Sequence, residues 1–200
     1  MIDYNTSFYH KLHDETEVFF RQIKPEDKVR LQEGLKYLSD ESIYTRFFSP
    51  VRRLTNKQLD YLTNADQKNH IAWGVMCPTY PEMPGLGTCR FFRTPEKPEE
   101  AEFAITIVDE FQNRGLGTEF LALIYVLASY HGIKKLIGSA LYSNLALVKR
   151  FRQIGAKVIW KKGSCDIFLP VYSDFSDFPV TKYSKIFIKM LKIFKQKLEK

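Results

Sequence analysis

A short glycine-containing segment, residues 112–118 (QNRGLGT), has the residue types and spacing of an anion-binding loop. It follows residues 101–108, an apolar and β-branched stretch that predicts a buried strand, and precedes a long apolar-periodic stretch that ends near His131. The free N–H groups and the dipole at a helix N-terminus attract anions, and glycines let a phosphate approach the backbone closely. The segment is therefore a candidate pyrophosphate site.

Known glycine-loop patterns narrow the interpretation of this segment. A Walker loop requires lysine and then serine or threonine after its second glycine, and the residues that follow Gly117 do not provide them. A dinucleotide-binding loop requires a third small residue at the position of Phe120. The pattern that remains is Gln-x-Arg-Gly-x-Gly. Short glycine motifs also match by chance, so an ordinary strand-to-helix turn stays open on this segment alone.

Length and composition predict a single globular domain in a reducing compartment. The 200 residues are 44% hydrophobic and 26% charged, and no apolar run approaches the length of a membrane span. The first 15 residues contain no apolar region typical of a signal peptide. Three cysteines without metal or redox spacing predict free thiols, and the four histidines have no partner ligands in the sequence, so we assign no metal. We expect a cytoplasmic protein.

The net charge of +7 lies almost entirely in the tail. Residues 181–200 contain seven lysines and one glutamate, which leaves the rest of the chain close to neutral. A nucleic-acid reader is expected to carry its basic patch on the folded domain, with aromatic or base-reading side chains interleaved. That pattern is absent, so we expect no nucleic-acid partner.

Periodicity and turn signals predict alternating strands and helices in the order β-α-α-β-β-β-α-β-α-β-β. The predicted strands are residues 17–22, 69–77, 85–92, 101–108, 135–140, 156–160 and 166–169. The predicted helices are residues 25–38, 55–62, the stretch after the glycine loop, and 144–154. Residues 93–100 are predicted as a polar loop, and residues 38–48 are not assigned. Hairpins combined with helical crossovers indicate an α/β domain with mixed strand directions.

Four sequence features together resemble the GNAT acetyltransferase superfamily. They are LSDESIYTRFFSPVRRLT (38–55), EEAEFAITI (99–107), QNRGLG (112–117), and Asn144 followed by Gly155. The resemblance covers about residues 17–160 and is strongest to the bacterial protein-lysine acetyltransferase branch, whose catalytic domain also occurs fused to acyl-CoA synthetase-like regions. This sequence contains no synthetase-like region. The resemblance implies a mixed, mostly antiparallel sheet flanked by helices, and acetyl-CoA as co-substrate.

The resemblance places a catalytic glutamate at Glu102. An amine that accepts an acetyl group must lose a proton, because a lysine ammonium with a pKa of about 10.4 is not a nucleophile. The apolar neighbours Phe103 and Ile105 predict a partly desolvated carboxylate that acts as general base. The alternative is an exposed glutamate at the end of a strand, next to Glu99 and Glu100.

The resemblance also implies where acetyl-CoA binds. In the family, the strand that corresponds to residues 101–108 splays from its neighbour, and the pantetheine lies in the gap, paired with the backbone. An N–H near Ile107 would polarise the thioester carbonyl. The implied cofactor contacts are Ile107, Val108, Gln112, Asn113, Arg114, Gly115, Leu116, Gly117, Thr118 and Asn144. For Asn144, a simple helix cap is the other interpretation.

On the acceptor side, the resemblance points to residues 44–48. We take Tyr44 and Arg46 as substrate-binding candidates and assign Phe47 and Phe48 to the core. Many family members donate a proton from a tyrosine at the position that Phe151 occupies here, so such an acid is excluded at that site. The predicted function is acetyl transfer to a primary amine, most readily a protein lysine. A small-molecule amine, or a module that senses acetyl-CoA without turnover, remains open.

Residues 1–16 are predicted as an N-terminal extension, residues 17–170 as the acetyltransferase domain, and residues 171–200 as a linker with an amphipathic helix. In a helix from residue 182, apolar side chains fall on one face and lysines on the other. Such a helix packs on its own domain or on a second subunit, or it lies on an anionic membrane with its lysines at the lipid phosphates. The sequence therefore leaves a homodimer contact and peripheral membrane attachment open.

Overall fold

In a computed structural model, which describes residues 6–199, the chain forms an α/β structure around one eight-stranded sheet. The strands are β1 (Phe8–Lys11), β2 (Glu17–Gln22), β3 (His70–Met76), β4 (Gly87–Thr94), β5 (Lys97–Ile107), β6 (Lys135–Leu141), β7 (Lys157–Trp160) and β8 (Ser164–Pro170). The helices are α1 (Lys28–Gly34), α2 (Asp40–Phe47), α3 (Asn56–Thr63), α4 (Leu116–Tyr130), α5 (Leu145–Gln153) and α6 (Lys182–Leu198). The predicted fold class is confirmed.

The sheet is mostly antiparallel, with the strand order β1-β2-β3-β4-β5-β6-β8-β7. Among the eight strands of residues 6–199, only β5 and β6 pair in parallel. Alternation along β5 directs successive side chains to opposite faces. Thr106 contacts Arg46 of α2 on one face, whereas Ile107 lies beside Gly117 of α4 on the other. Helices α1 to α3 therefore cover one face near β5, and α4 covers the opposite face.

Two predictions of local structure were incomplete or wrong. Residues 93–100 are not a loop, because β4 extends to Thr94 and β5 already begins at Lys97. Glu99 and Glu100 there form ion pairs with Lys134 and Lys135, so the polar composition reflects an exposed strand end. The helix predicted over 25–38 is α-helical only over α1, with single 3-10 turns on both sides.

Two elements were missing from the sequence analysis. Strand β1, within the predicted N-terminal extension, pairs with β2 and joins the sheet. Helix α2 occupies the unassigned segment and is capped by Ser39, whose side chain accepts a hydrogen bond from the amide of Ser42. Each of these elements is short, at four and eight residues, and so carries too little periodicity to stand out.

Helix α4 fixes the position of the glycine loop. It is 15 residues long and apolar almost all round, and most of its side chains are buried, including Phe120, Leu123 and Tyr125. A helix of this kind packs on both sides. The sheet covers one side and α6 covers the other. The N-terminus of α4 is therefore held rigidly at the end of β5.

The predicted C-terminal helix is α6, and its apolar face packs against its own domain. Phe187, Leu191 and Phe194 are fully buried, and the ring of Phe194 lies 5.4 Å from that of Phe20 in β2. The exposed lysines of the opposite face are Lys182, Lys185, Lys189, Lys192 and Lys195, while Lys200 lies outside the described residues. Within residues 6–199, no helix combines the length and the apolar character needed to cross a bilayer.

Strands β5 and β6 separate after a short pairing. Their register covers Glu100 to Glu102 against Lys135 to Ile137 and then ends. At the next position, the ring of Phe103 packs against the backbone of Gly138. A Cβ atom on Gly138 would lie only 2.6 Å from Cε1 of Phe103. The ring also packs 5.8 Å from that of Phe151 in α5. Phe103 therefore acts as a wedge at the base of a gap between the strands.

We predict that Gly138→Ala lowers the free energy of unfolding by about 1–3 kcal/mol, because the added methyl group overlaps the Phe103 ring. In a Phe103→Ala background, the same change should be neutral or stabilise by up to about 1 kcal/mol. Urea denaturation of the four proteins measures this coupling. Gly34→Ala is the control, since its Cβ would meet nothing within 4 Å. If Gly138→Ala lowers the free energy of unfolding equally in both backgrounds, the Phe103 ring does not occupy this position as described.

Candidate functional site

The gap between β5 and β6 presents backbone groups of β5 that no neighbouring strand occupies. The amide of Val108 donates to the carbonyl of Leu86, on the β4 side. In an antiparallel strand the N–H and C=O groups of alternate residues point to opposite sides, so those of Ile105 and Ile107 point into the gap. These two residues lie beyond the last paired position, Glu102. The gap can therefore accept an extended ligand along its β5 edge.

The glycine loop ends in an uncapped helix N-terminus directly after this edge. Gly115 has a φ of 92° in the left-handed region that favours glycine, and no side chain caps α4. The amide of Thr118 bonds back to the carbonyl of Gly115. The amides of Gly115, Leu116 and Gly117 have no acceptor within residues 6–199. Three N–H groups and the positive end of the helix dipole are thus available to an anion.

The side chain of Arg114 turns away from the loop amides and toward another part of the chain. Arg114 pairs with Asp14 of the β1–β2 connection at 2.6 Å, with its guanidinium carbon 4.5 Å from the centre of the Phe111 ring. Hydrogen bonds from Thr16, supported by Arg114, hold the pKa of Asp14 at about 2. Arg114 is therefore engaged with the protein rather than projecting freely toward the loop amides.

Gln112 is also engaged with its own domain. Its Nε2 atom lies 3.0 Å from the hydroxyl of Ser42 in α2 and 3.1 Å from the carbonyl of Ile107. The side chain therefore ties α2 to the end of β5 and braces the loop. Asn113 supports the same turn with a φ of 59°, which asparagine tolerates better than most residues. Val108 is buried under the turn.

Glu102 is exposed, and the expectation that its neighbours desolvate it is wrong. Phe103 and Ile105 point to the opposite face of the strand, because side chains alternate with a period of two. The directly opposite residue is Phe92 of β4. The carboxylate has no ion-pair or hydrogen-bond partner within residues 6–199. Glu102 therefore lies at the opening of the gap, free to meet a ligand.

The acceptor-side candidates differ in exposure. Arg46 is largely enclosed, its Nε donates to the hydroxyl of Thr106 at 2.9 Å, and burial lowers the pKa of its guanidinium. Tyr44 is about half exposed. Phe47 packs on the small core formed by α1 to α3, as expected. Phe48 does not, because it ends α2 in the left-handed conformation with its side chain outside.

One charged residue on the same face was missed by the sequence analysis. Arg90, in the middle of β4, is 2% exposed and donates to the carbonyl of Leu62 at 2.9 Å. Burial, with repulsion from Arg46, lowers its pKa to about 10. The available signal was a lone arginine inside an otherwise apolar strand core, where a charge is rare unless it has a specific role.

After β6, Asn144 forms the helix cap that was the other interpretation of this residue, and its contact with the cofactor stays a prediction. The side chain of Asn144 caps α5, accepting a hydrogen bond from the amide of Leu147 at 3.2 Å. Phe151 is buried and offers no hydroxyl group. Tyr142 is exposed and packs on Trp160. The three cysteines are buried and free, and no group of metal-binding side chains occurs within residues 6–199.

Comparisons with known proteins agree with the fold. A family model described as the acetyltransferase (GNAT) domain matches residues 17–157. Over 146 residues, the chain is 31% identical to the acetyltransferase Pat of Mycolicibacterium smegmatis, an alignment that covers 71% of this chain and 41% of Pat. The chain therefore spans less than half the length of that relative.

Two solved structures have a similar fold. The GNAT domain of S. lividans PAT superposes with a TM-score of 0.74 at 25% identity, covering 82% of this chain and 96% of that domain. YncA of Salmonella typhimurium, a structure with its cofactor acetyl-CoA, gives a TM-score of 0.61 at 13% identity, covering 78% and 95% of the two chains. The second likeness concerns the fold alone.

Proposed function

Because this chain belongs to the GNAT acetyltransferase family, we propose that it transfers an acetyl group from acetyl-CoA to a primary amine, most readily a protein lysine. One observation carries the proposal. The open β5 edge leads directly to the uncapped N-terminus of α4. A ligand with an extended amide arm could lie along the edge and place its pyrophosphate at the helix N-terminus. The resemblance of residues 38–55 to the protein-lysine acetyltransferase branch favours a lysine acceptor.

In this proposal, the pantetheine arm adds to β5 like an extra strand. Its amide groups pair with backbone groups of Ile105 and Ile107 that face the gap, and the N–H of Ile107 polarises the thioester carbonyl. The amides of Gly115 to Gly117 bind the pyrophosphate. The remaining proposed contacts with the cofactor are made by Val108, Gln112, Asn113, Arg114, Thr118 and Asn144.

The proposed reaction is direct attack of the amine on the thioester. The amine nitrogen forms a bond to the acetyl carbon, the carbon–sulfur bond breaks, and CoA leaves as a thiolate. Glu102 accepts the proton that the amine must lose, either directly or through one water molecule. Its exposed position at the opening of the gap supports this role, because an incoming acceptor can reach it there.

We further propose that the enzyme works in the cytoplasm. The apolar face of α6 is occupied by its own domain, which argues against its use as a dimer contact or a membrane-inserted surface. Contact with an anionic membrane would then be purely electrostatic, through the exposed lysine face.

We predict that Glu102→Gln lowers kcat/KM for a lysine substrate by about 10²–10⁴ at neutral pH, because the change removes a base while keeping its size. The defect should narrow as the pH approaches the lysine pKa of about 10.4, where the amine loses its proton unaided. Acetyl-CoA affinity should be unchanged. Turnover is measured against a protein extract with mass-spectrometric site mapping and against a panel of small amines.

Glu96→Gln is the matched control, since it makes the same change at the exposed β4–β5 turn. Near-normal turnover of Glu102→Gln with an unchanged pH profile would reject Glu102 as the base. Absence of acetyl transfer to every amine, despite tight acetyl-CoA binding by the wild type, would instead support a sensing module.

Arg114 and Asp14 provide a second test, of the pyrophosphate site. If Arg114 contributes to cofactor binding, Arg114→Gln should weaken acetyl-CoA binding about tenfold, the scale of a charge-assisted hydrogen bond. Asp14→Asn should leave the affinity equal or higher, because it releases the guanidinium. Calorimetry at pH 7 is suitable, since the folded pKa of Asp14 is below its ordinary value and the ion pair is lost only as the pH falls through about 2. Equal weakening by both variants would mean that Arg114 only anchors the β1–β2 connection.

A further inference from the structure

A cavity of about 100 Å³ lies between the sheet and the layer formed by α1 to α3. Its floor is formed by β3, β4 and β5, and most of its walls are apolar side chains such as Leu31, Leu35 and Leu54. A volume of this size holds several water molecules, and therefore a carboxylate with the methylene groups that carry it. Four arginines line the cavity. Arg21 and Arg30 form ion pairs with Asp27, and the other two are Arg46 and Arg90.

These two cations have very few partners for their number of donors. Arg90 is 2% exposed, and it donates a hydrogen bond to the carbonyl of Leu62, in the last turn of α3. That bond accounts for one of its five N–H groups. Arg46 donates to one neutral hydroxyl, that of Thr106. Neither arginine has an ion pair within residues 6–199.

The carboxylate that lines the cavity is already committed elsewhere. Asp27 accepts two hydrogen bonds from Arg21, at 2.6 and 2.7 Å, in a forked geometry. Burying a cation without a counter-charge costs several kcal/mol, and two neighbouring cations repel each other as well. The site is thus electrostatically incomplete, and an anion from outside the chain would compensate it.

The cavity is on the face of the sheet that carries the proposed base. Arg90 lies directly opposite Ala104 of β5, and the same register places Phe92 opposite Glu102. The side chains of Glu102, Ala104 and Thr106 therefore point to one face. Glu102 is two residues along β5 from Ala104, the residue opposite Arg90. The free amides at the start of α4 are near Gly117, on the opposite face. A cofactor phosphate at those amides would be separated from the arginines by the sheet.

We propose that Arg46 and Arg90 bind a carboxylate that the acceptor carries, which for a protein acceptor is an acidic side chain close to the target lysine. This inference rests on the proposed acetyltransferase function and specifies its substrate class. The planar guanidinium groups match a carboxylate in forked geometry, and the apolar walls enclose its stem. The lysine amine then reaches Glu102 at the opening of the gap.

Two series of lysine peptides test the proposal. In one, glutamate occupies each position from −2 to +2 around the lysine, and in the other glutamine replaces it. We expect at least one glutamate peptide to exceed its glutamine partner by about 10-fold or more in kcat/KM, as charge-assisted hydrogen bonds do. Free amino acids serve as a third series, because they also present a carboxylate beside an amine.

Variants assign the preference to the two arginines. Arg46→Gln should reduce the glutamate-to-glutamine ratio to near one, and Arg90→Lys should reduce it in part, because lysine keeps the charge but not the fork. Arg53→Gln is the control, since it removes one charge from an exposed residue outside the cavity. Thermal melting checks that each variant is folded. The glutamate-to-glutamine ratio is informative because a purely structural role for Arg90 would lower kcat/KM for both peptides equally and leave their ratio unchanged.

A direct measurement separates failure of this inference from failure of the proposed function. Glutarate is titrated into the wild type while the Nε–Hε signals of its arginines are followed by NMR. Shifts at Arg46 and Arg90, with none at Arg53, support the carboxylate site even if no peptide is acetylated. The inference is overturned if glutamate and glutamine peptides are acetylated equally well and glutarate leaves the Arg46 and Arg90 signals unchanged. The acetyltransferase proposal would still stand. Weaker acetyl-CoA binding by Arg46→Gln with an unchanged peptide ratio would assign the cavity to the cofactor and also overturn it.

Discussion

The close contact between the Phe103 ring and Gly138 is the constraint on which the site depends. It lies immediately after the last paired residues of β5 and β6, and it leaves no room for a side chain on the facing strand. Beyond this point, the N–H and C=O groups of β5 that face β6 therefore have no partner strand, although they lie in the middle of a sheet. Free backbone groups in such a position are unusual, because almost all buried backbone groups are paired. A ligand with amide groups of its own would satisfy them.

Alternation along β5 divides the chemistry between the two faces of the sheet. One face meets α4, whose apolar core fixes an uncapped N-terminus at the end of the strand. The other face carries Glu102 and Thr106 under the α1 to α3 layer, beside Arg46 and Arg90. At the β5 edge, the cofactor can thus bind from the α4 side of the sheet and the acceptor from the side of α1 to α3. Neither of these arginines forms an ion pair within residues 6–199.

The sequence was sufficient for the parts of the fold whose local signals are long and consistent. The strand, loop and helix from residue 101 to Tyr130 combine β-branched residues, glycines and an apolar helix, and all three signals agree. Strand β1 was missed because four residues carry little periodicity. Within the site, alternation alone places Glu102 on the face opposite to Phe103 and Ile105, and this placement was predictable. The pairing of Arg114 with Asp14 was not, because the two residues are 100 positions apart in the chain.

The central claim is that acetyl-CoA binds along β5 and across the start of α4. An amide NMR titration of the full chain with acetyl-CoA tests it most directly. The account predicts that the largest shifts occur at the amides of Ile105, Ile107 and Gly115 to Gly117, while those of β7, at the far edge of the sheet, change little. Saturable binding whose shifts cluster elsewhere, with these amides unchanged, would contradict it.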